Sequence, residues 1–311
     1  MKYIDLYKKS NIFKILSKDI TGNSVSHAYM LIISDQVLAN EYAKLFVMQY
    51  YCESAGSPCG VCNNCSKIIH SNMADVHYFP KNEKLTVEES RQIVAESFVL
   101  PYENNKKLFI ISNFDKSTPQ SQNALLKVLE EPTESNLFLL IADNTTQVLN
   151  TILSRVKKVI EPGVDDNDLL EFLKANYDNS LDIATAVTLS QGNLTKSIKI
   201  LTNKKYADAI CILKEMVIKL KSSSDVLKYA SKLNSFKDNF NEVLDILLQL
   251  YLNLKIELCN GNTTSDYSKS SITKISNLIV DCKNKLKFNC NIVGIIDYLL
   301  FGILEAKYLC K

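Results

Sequence analysis

Strand-length apolar runs recur through the first half of the chain and alternate there with helix-like segments. The runs are continuously apolar, which predicts strands covered on both faces, as in a parallel sheet. The capping-box spacing of Thr86 and Glu89 indicates one intervening helix, and "SQNALLKVLEEP" predicts another that Pro132 ends. Together these patterns predict a doubly wound α/β domain. Its predicted strands are 29–33, 76–79, 107–111 and 137–142.

The second half of the chain has a different pattern. All six prolines lie within the first 162 residues, and only four glycines follow Gly163. The remainder therefore predicts long helices, including the strongly apolar "NEVLDILLQLYLNLKIEL" and "NIVGIIDYLLFGILEAKYL". Helices of this kind either pack one face on another chain or are buried within their own domain. The polar stretch 259–271 predicts a mobile loop.

Composition is that of a soluble globular protein. The 311 residues have room for two or three domains, and 46% of them are hydrophobic and 23% charged. The formal net charge of +2 disfavours a chain that binds nucleic acid over its whole surface. No apolar run reaches the roughly 18 residues of a membrane span, and the start lacks a secretion signal. We therefore expect a cytoplasmic protein with no membrane contact.

The stretch "YMLIISDQVLANEYAKLF", residues 29–46, joins a predicted strand directly to a predicted helix. Nucleotide-binding α/β proteins carry their phosphate loop at such a junction, with two glycines, a lysine and a hydroxyl residue. Residues 34–41 contain no glycine and no lysine. Lys44 lies within the following helix, where a solvated surface charge is expected. The junction therefore lacks the groups that hold ATP phosphates in this class of protein.

Four cysteines cluster in "CESAGSPCGVCNNC" as Cys52, Cys59, Cys62 and Cys65. Four thiolates suit a tetrahedral zinc ion, and a site with four protein ligands has no open position for catalysis. An iron–sulfur cluster is the alternative, although the fourth cysteine followed by proline that ferredoxins use is absent. Two further alternatives are His70 in place of Cys52 and four unrelated thiols. We predict a structural zinc.

The remaining cysteines stand singly in helical contexts, and the total of nine is odd. This pattern disfavours a disulfide framework, which requires pairs in an oxidising compartment. Free cysteines are most often small buried hydrophobic residues, so a core or near-core position is expected for each of them. They are Cys211, Cys259, Cys282, Cys290 and Cys310.

Four motifs resemble one known family in consistent order and spacing: "SHAYMLII", the cysteine module, "NALLKVLEEP" and "TILSRV". The family is that of the bacterial DNA polymerase III clamp-loader subunits, of the AAA+ class, and the resemblance covers most of residues 11–200. It implies an N-terminal α/β AAA+ (RecA-like) domain with a parallel sheet and an inserted zinc module, a small helical lid domain and an all-α collar domain. The expected boundaries are 1–162, 163–205 and 206–311.

The family has two branches to distinguish. The gamma and tau motor subunits hydrolyse ATP, whereas the delta-prime branch keeps the fold without the ATPase. The resemblance places the magnesium-binding acidic pair at Ser112 and Asn113, which cannot supply a carboxylate. It places the arginine that senses the γ-phosphate at Thr195. The chain therefore resembles the delta-prime branch, and we expect it neither to hydrolyse ATP nor to bind it tightly. Asp115 is expected to cap the next helical segment.

Ser154 and Arg155 are the part of the nucleotide chemistry that remains. In the family this pair faces the nucleotide of the neighbouring subunit, and such arginine fingers contribute about 10³–10⁵ in rate. The resemblance therefore implies that Arg155 acts in trans, with Ser154 positioning it. Val156 replaces the family's cysteine and is expected to pack. The alternative for Arg155 is a surface charge in a basic tract with Lys157 and Lys158.

Other residues within the matching motifs need no catalytic role. Glu130 and Glu131 form a helix end before proline, and His27 is expected to hold the start of its strand locally. A lone histidine is more often structural than catalytic when no paired base or nucleophile accompanies it.

The resemblance implies a non-catalytic subunit of a heteropentameric clamp loader. Its partners would be the gamma or tau motor subunits and the delta subunit, with weak or indirect contacts to the sliding clamp and to primed DNA. An active motor with an unorthodox phosphate loop is the first alternative. A free-standing zinc-dependent DNA-binding module is the second, and the near-neutral net charge disfavours it.

Overall fold

A computed structural model describes residues 1–54, 58–177, 183–261, 266–288 and 290–309. The chain divides into two compact units. The first comprises Met1–Phe172 together with Asn193–Thr195, and the second comprises Leu173–Gly192 and Lys196–Lys311. The separate lid and collar domains of the sequence analysis remain a prediction.

The first unit contains a five-stranded, wholly parallel sheet in the order β2-β3-β4-β1-β5. The predicted parallel α/β arrangement is therefore confirmed. In the central register, Tyr29 of β1 pairs with Leu139 on one side and with Lys157 on the other. The strands are β1 Ala28–Ile32, β2 Val76–Phe79, β3 Lys107–Ile111, β4 Asn136–Ala142 and β5 Lys157–Ile160.

Eight helices accompany the sheet in the described part of this unit, the last of which extends into the second unit. They are α1 Ile4–Lys9, α2 Asn11–Thr21, α3 Gln36–Tyr51, α4 Asn63–Ile69, α5 Val87–Ser97, α6 Pro119–Glu130, α7 Asn150–Leu153 and α8 Asp166–Asn176. One core cluster contains Phe109 and Phe138 from the sheet and Ile93 and Leu125 from α5 and α6. Strand β4 is buried along its whole length, as its continuous apolar sequence predicts.

Helix termini in this unit follow the sequence signals with one exception. The capping box predicted for α5 is present, since Thr86 accepts a hydrogen bond from the Glu89 N–H and Glu89 accepts one from the Thr86 N–H. Helix α6 is capped by Thr118, not by Asp115 as predicted. Asp115 instead lies buried in a 3₁₀ turn and accepts a 3.3 Å hydrogen bond from the Asp143 N–H.

The described part of the second unit is helical, as the proline distribution predicts. Its helices are α9 Ile183–Ser190, α10 Leu194–Thr202 (whose first two residues group with the first unit), α11 Lys204–Lys219, α12 Ser223–Leu233, α13 Phe240–Cys259, α14 Lys269–Lys287 and α15 Ile292–Leu309. Helix α15 buries Leu300 and Ile303 in the unit's core but leaves Phe301 half exposed. No described helix is both long and apolar enough to span a membrane.

Two predictions for this unit need correction. Cys282 is buried as expected, but Cys211, Cys259 and Cys290 are exposed, because each falls on the solvent side of its segment; Cys310 lies outside the described residues. The predicted loop 259–271 overlaps the end of α13 and the start of α14, where Ser268 caps the helix. Within that stretch, residues 262–265 lie outside the described part of the chain.

A buried acid fixes the loop that follows α5. The carboxylate of Asp75 is inaccessible to solvent and accepts hydrogen bonds from the N–H groups of Tyr102 (2.6 Å), Glu103 (2.9 Å) and Asn104 (2.8 Å). Burial alone would raise the pKa of Asp75, but these hydrogen bonds outweigh it and lower the pKa. The ionised form is therefore the one that holds the loop.

We predict that Asp75→Ala lowers the free energy of unfolding by roughly 2–4 kcal/mol, because the backbone N–H groups of residues 102–104 lose a buried, charged acceptor. Because the pKa of Asp75 is depressed in the folded state, its contribution is present above the unfolded pKa of about 3.9 and is lost as pH falls through the folded pKa. Urea unfolding at several pH values measures both effects, with exposed Glu134→Ala as the control. Equal stability of the two variants would contradict the assignment.

Candidate functional site

The junction between β1 and α3 is where a nucleotide-binding chain would hold phosphate. Here Asp35 is the residue before the helix, and its Oδ1 accepts hydrogen bonds from the N–H groups of Val37 (3.0 Å) and Leu38 (3.1 Å). These N–H groups belong to the first turn of α3, where no intrahelical acceptor exists. The chain's own carboxylate thus satisfies the donors that would otherwise face an anion.

The same carboxylate also caps a second helix. Oδ2 of Asp35 accepts from the Thr195 N–H (3.0 Å) and Oδ1 accepts from the Thr195 hydroxyl (2.6 Å), while that hydroxyl also accepts from the Val37 N–H (3.1 Å). Thr195 is the second residue of α10, which begins at Leu194. Asp35 is only 3% exposed. One buried negative charge therefore lies at the positive ends of two helices.

The contact between Asp35 and Thr195 joins two positions that are far apart in sequence. The sequence analysis assigned Thr195 as the position where the family has an arginine, and it did not single out Asp35. An aspartate immediately before a helix is a helix-start signal, so the cap on α3 was readable from the sequence. The contact with Thr195, 160 residues away, was not, because nothing local in the sequence encodes it.

The end of β3 has no acidic pair. Strand β3 stops at Ile111, and the Ser112 N–H donates to the Phe79 carbonyl oxygen at 2.8 Å. Asn113 adopts a left-handed backbone (φ 52°), and its side-chain oxygen accepts a hydrogen bond from Lys116. The nearby carboxylate of Asp115 is buried and already accepts a backbone N–H. A magnesium ion would find no exposed carboxylate at the two predicted positions.

The four clustered cysteines lie together. All four Sγ atoms are within 4.8 Å of one another, with Cys65 buried and Cys52, Cys59 and Cys62 half buried. The Cys59–Cys65 and Cys52–Cys62 Sγ pairs are each separated by 3.9 Å. Tetrahedral zinc with bonds of about 2.3 Å requires sulfur separations of about 3.8 Å. The donor set fits zinc, and His70 does not belong to this group among the described residues.

Backbone hydrogen bonds favour the thiolate of Cys59, whereas burial raises the pKa of Cys65. Gly60 has φ +76°, a conformation that glycine adopts without strain, and it lets the chain fold back over the cluster. The N–H groups of Val61 and Cys62 donate to Cys59 Sγ and lower the pKa of that thiol to about 6. Thiolate is the form that binds a metal ion. In this site zinc would cross-link the segment before α4 to α4 itself.

Arg155 follows α7 at the end of the β4–α7 segment. Its Nη1 donates to the Thr151 carbonyl oxygen (2.7 Å) and to Ser154 Oγ (3.0 Å), and its Nη2 lies 2.8 Å from Glu130 Oε1. The side chain is one-third exposed. Ser154 thus contacts the guanidinium directly, as expected of a residue that positions it. Val156 is buried in the core, which confirms its packing role.

Lys157 and Lys158, the basic neighbours of Arg155, are both exposed. The Nζ of Lys157 nevertheless donates to both carboxylate oxygens of the buried Asp19 at 2.6 Å, and Asp19 also accepts from the Tyr29 hydroxyl. Lys157 and Arg155 are therefore paired with different carboxylates, Asp19 and Glu130.

A family model described as "DNA polymerase III, delta subunit" matches residues 8–161. The DNA polymerase III subunit delta-prime of Bacillus subtilis is 25% identical over 321 aligned positions, covering 95% of this chain and 96% of that protein. The matched residues belong to that family. The whole chain is a relative of the delta-prime subunits.

The tau/gamma and tau subunits of two other bacteria match a shorter part of this chain. The tau/gamma subunit of Haemophilus influenzae is 28% identical over 55% of this chain and 25% of its own length. The tau subunit of Escherichia coli is 28% identical over 49% of this chain and 24% of its own length. The chain thus spans about a quarter of these two relatives. Among solved structures, a gamma subunit-related protein from Thermotoga maritima has a TM-score of 0.48 at 16% identity, covering 96% of this chain and 99% of that one.

The sequence analysis also predicted roles for Lys44 and His27. Lys44 was expected to be a solvated charge, and that prediction was wrong because its Nζ donates to the Ile69 carbonyl oxygen at the end of α4 (3.1 Å). The backbone carbonyl oxygen of His27 accepts from the Phe138 N–H, and the local role expected of its side chain stays a prediction. Its buried Nε2 has no hydrogen-bond partner among the described residues.

We predict that the purified protein contains about one zinc ion per chain and that Cys62→Ser lowers this content sharply, because one of four thiolate ligands is lost. The measurement is elemental analysis after extensive dialysis. Cys211→Ser, which alters an exposed cysteine of α11, is the matched control and should retain full zinc. Finding iron with sulfide, or no metal, would refute the zinc assignment.

Proposed function

We propose that this chain is a non-catalytic subunit of the replicative DNA clamp loader. The observation that carries the proposal is the closure of the β1–α3 junction by Asp35. Its carboxylate occupies the N-terminal donors of α3, which in ATP-binding chains are available to phosphate. A phosphate entering there would have to displace a buried, covalently tethered anion and would be repelled by its charge.

Three absences in the sequence support the same conclusion. Residues 34–41 supply neither the glycines nor the lysine of a phosphate loop. Ser112 and Asn113 supply no metal-binding carboxylate, and Thr195 supplies no arginine for the γ-phosphate. An ATPase needs positioning and charge stabilisation from these groups together. The chain retains none of them, so it contributes no ATP turnover of its own.

Its contribution to catalysis is made in trans. In our proposal Arg155 reaches the ATP bound by a neighbouring gamma or tau subunit, with Ser154 positioning its guanidinium. The charge that develops on the transferred phosphoryl group is then stabilised by a group that the motor subunit lacks in its own site. The exposure of Arg155 and its contact with Ser154 support this role.

The remaining parts of the chain serve assembly. The gamma or tau subunits and the delta subunit are the partners in this proposal, and contacts with the sliding clamp and primed DNA are weak or indirect. The half-exposed apolar residues Tyr298, Phe301 and Tyr308 on α15 offer a surface for the collar. The cysteine site stabilises the first unit with a zinc ion and performs no reaction. The protein acts in the cytoplasm.

We predict that the isolated chain shows no saturable ATP binding at millimolar nucleotide with magnesium, because the phosphate position is closed and no metal ligand is present. Isothermal titration calorimetry measures this directly, with a gamma or tau subunit as the positive control. Micromolar ATP affinity would instead identify the chain as an active motor with an unorthodox phosphate loop.

We also predict that Arg155→Ala lowers DNA- and clamp-stimulated ATP turnover of the reconstituted loader by about the share that the adjacent motor site contributes. A trans-acting arginine contributes about 10³–10⁵ at its own site, and the other motor sites continue to turn over. Lys158→Ala, which removes an exposed charge three residues away, is the control. Size-exclusion chromatography verifies assembly. Unchanged turnover in an intact complex would leave the subunit purely structural.

A further inference from the structure

Glu130 lies against the guanidinium of Arg155 although the two residues are far apart in sequence. Glu130 is the last residue of α6, and its Oε1 is 2.8 Å from Nη2 of Arg155. The other two contacts of the guanidinium, with Thr151 and Ser154, come from the neighbourhood of α7. Arg155 is therefore held from two separate helices, and only Glu130 supplies a charged acceptor among the described contacts.

These contacts leave part of the guanidinium available. A guanidinium carries five N–H donors in a planar fork. The hydrogen bonds use two of them, both on Nη1, while Nη2 carries the ion pair with Glu130 and one-third of the side chain stays exposed. Donors outside these two hydrogen bonds therefore remain for contact with a phosphate. The arrangement fixes the plane of the fork without occupying all of it.

The ion pair between Glu130 and Arg155 is strong enough to orient a side chain but contributes little to the stability of the fold. The side chains of Glu130 and Arg155 are 46% and 33% exposed, and exposed pairs of this kind contribute about 0.2–1 kcal/mol. That is a small fraction of a domain's stability. It is still enough to change the population of one arginine conformer up to about fivefold, since 1.4 kcal/mol corresponds to a factor of ten. An arginine ordered before docking loses less conformational entropy when it meets its target.

The end of α6 fixes the position of Glu130. Glu131 leaves helical geometry at φ −120° and ψ 67°, and Pro132 prevents the helix from continuing. Glu130 is thereby kept at the last helical position, whereas the exposed Glu131 side chain makes no described contact with another residue. The two adjacent glutamates differ in their relation to Arg155, which makes Glu131 a matched control.

We propose that Glu130 is a positioning residue that holds Arg155 in the orientation required at a neighbouring subunit's ATP. This inference rests on the proposed trans-acting role of Arg155. It adds Glu130, to which the proposed function gives no part. Glu130 touches neither nucleotide nor reacting atoms, so it acts only through Arg155. It restricts the guanidinium to one orientation and takes no part in the reaction itself.

The test uses the complete reconstituted loader with primed DNA and clamp. Four variants are compared with the unaltered protein: Glu130→Gln, Glu131→Gln, Arg155→Ala and the double variant Glu130→Gln/Arg155→Ala. Glu130→Gln is expected to lower turnover at the adjacent ATP site about two- to fivefold, the factor that corresponds to an exposed ion pair, and therefore to lower the loader's kcat by less than Arg155→Ala does, with KM for ATP unchanged. Glu131→Gln is expected to match the unaltered protein. Adding Glu130→Gln to Arg155→Ala is expected to cause no further loss.

The double variant separates positioning from a general structural role, because a structural defect would lower turnover whether or not Arg155 is present. If Arg155→Ala has no effect, the trans-acting arginine is refuted and this inference with it. If Arg155→Ala lowers turnover but Glu130→Gln behaves like Glu131→Gln, only the role of Glu130 is refuted. A rise in turnover with Glu130→Gln would show that Glu130 restrains Arg155, which also overturns the proposal.

Discussion

A buried carboxylate that caps two helices is the interaction on which the first unit depends. The first turn of any helix exposes N–H groups without acceptors and carries a partial positive charge. At α3 and α10 both requirements are met by Asp35, which is part of the chain. A tethered anion pays no translational entropy to reach its site, so an external phosphate of similar charge is at a disadvantage.

This constraint distinguishes two charged groups of the unit, one buried and one at the surface. The acid that remains at the nucleotide position points inward and is neutralised by helix ends, whereas the arginine of the "SRV" motif stays at the surface. The chain thus covers the phosphate position of its own β1–α3 junction, while the guanidinium of Arg155 remains one-third exposed.

Much of this architecture could be predicted from the sequence, and the failures have physical causes. Continuous apolar runs and proline positions identified four strands and the helical second half, and the cysteine spacing identified the four-sulfur cluster. Strand β5 was missed because "KKVI" carries lysines where it pairs only on one side. The Asp35–Thr195 contact was missed because it joins distant segments. Cys211 and Cys259 were misplaced because helical periodicity alone does not decide which side of a helix meets solvent, and Cys290 because it lies between α14 and α15 rather than in a helix.

Helix α3 is capped by Asp35 at one end and by Cys52 at the other, so its two ends adjoin the closed junction and the cysteine cluster. Its 16 residues are about 24 Å long at the usual rise. The carboxylate fixes one end, and the cysteine cluster begins at the other, where the Cys52 N–H still donates to Met48. Both anchors are built from the polypeptide itself. The direction of this helix within the first unit is therefore set at both ends by groups that are covalently part of the chain.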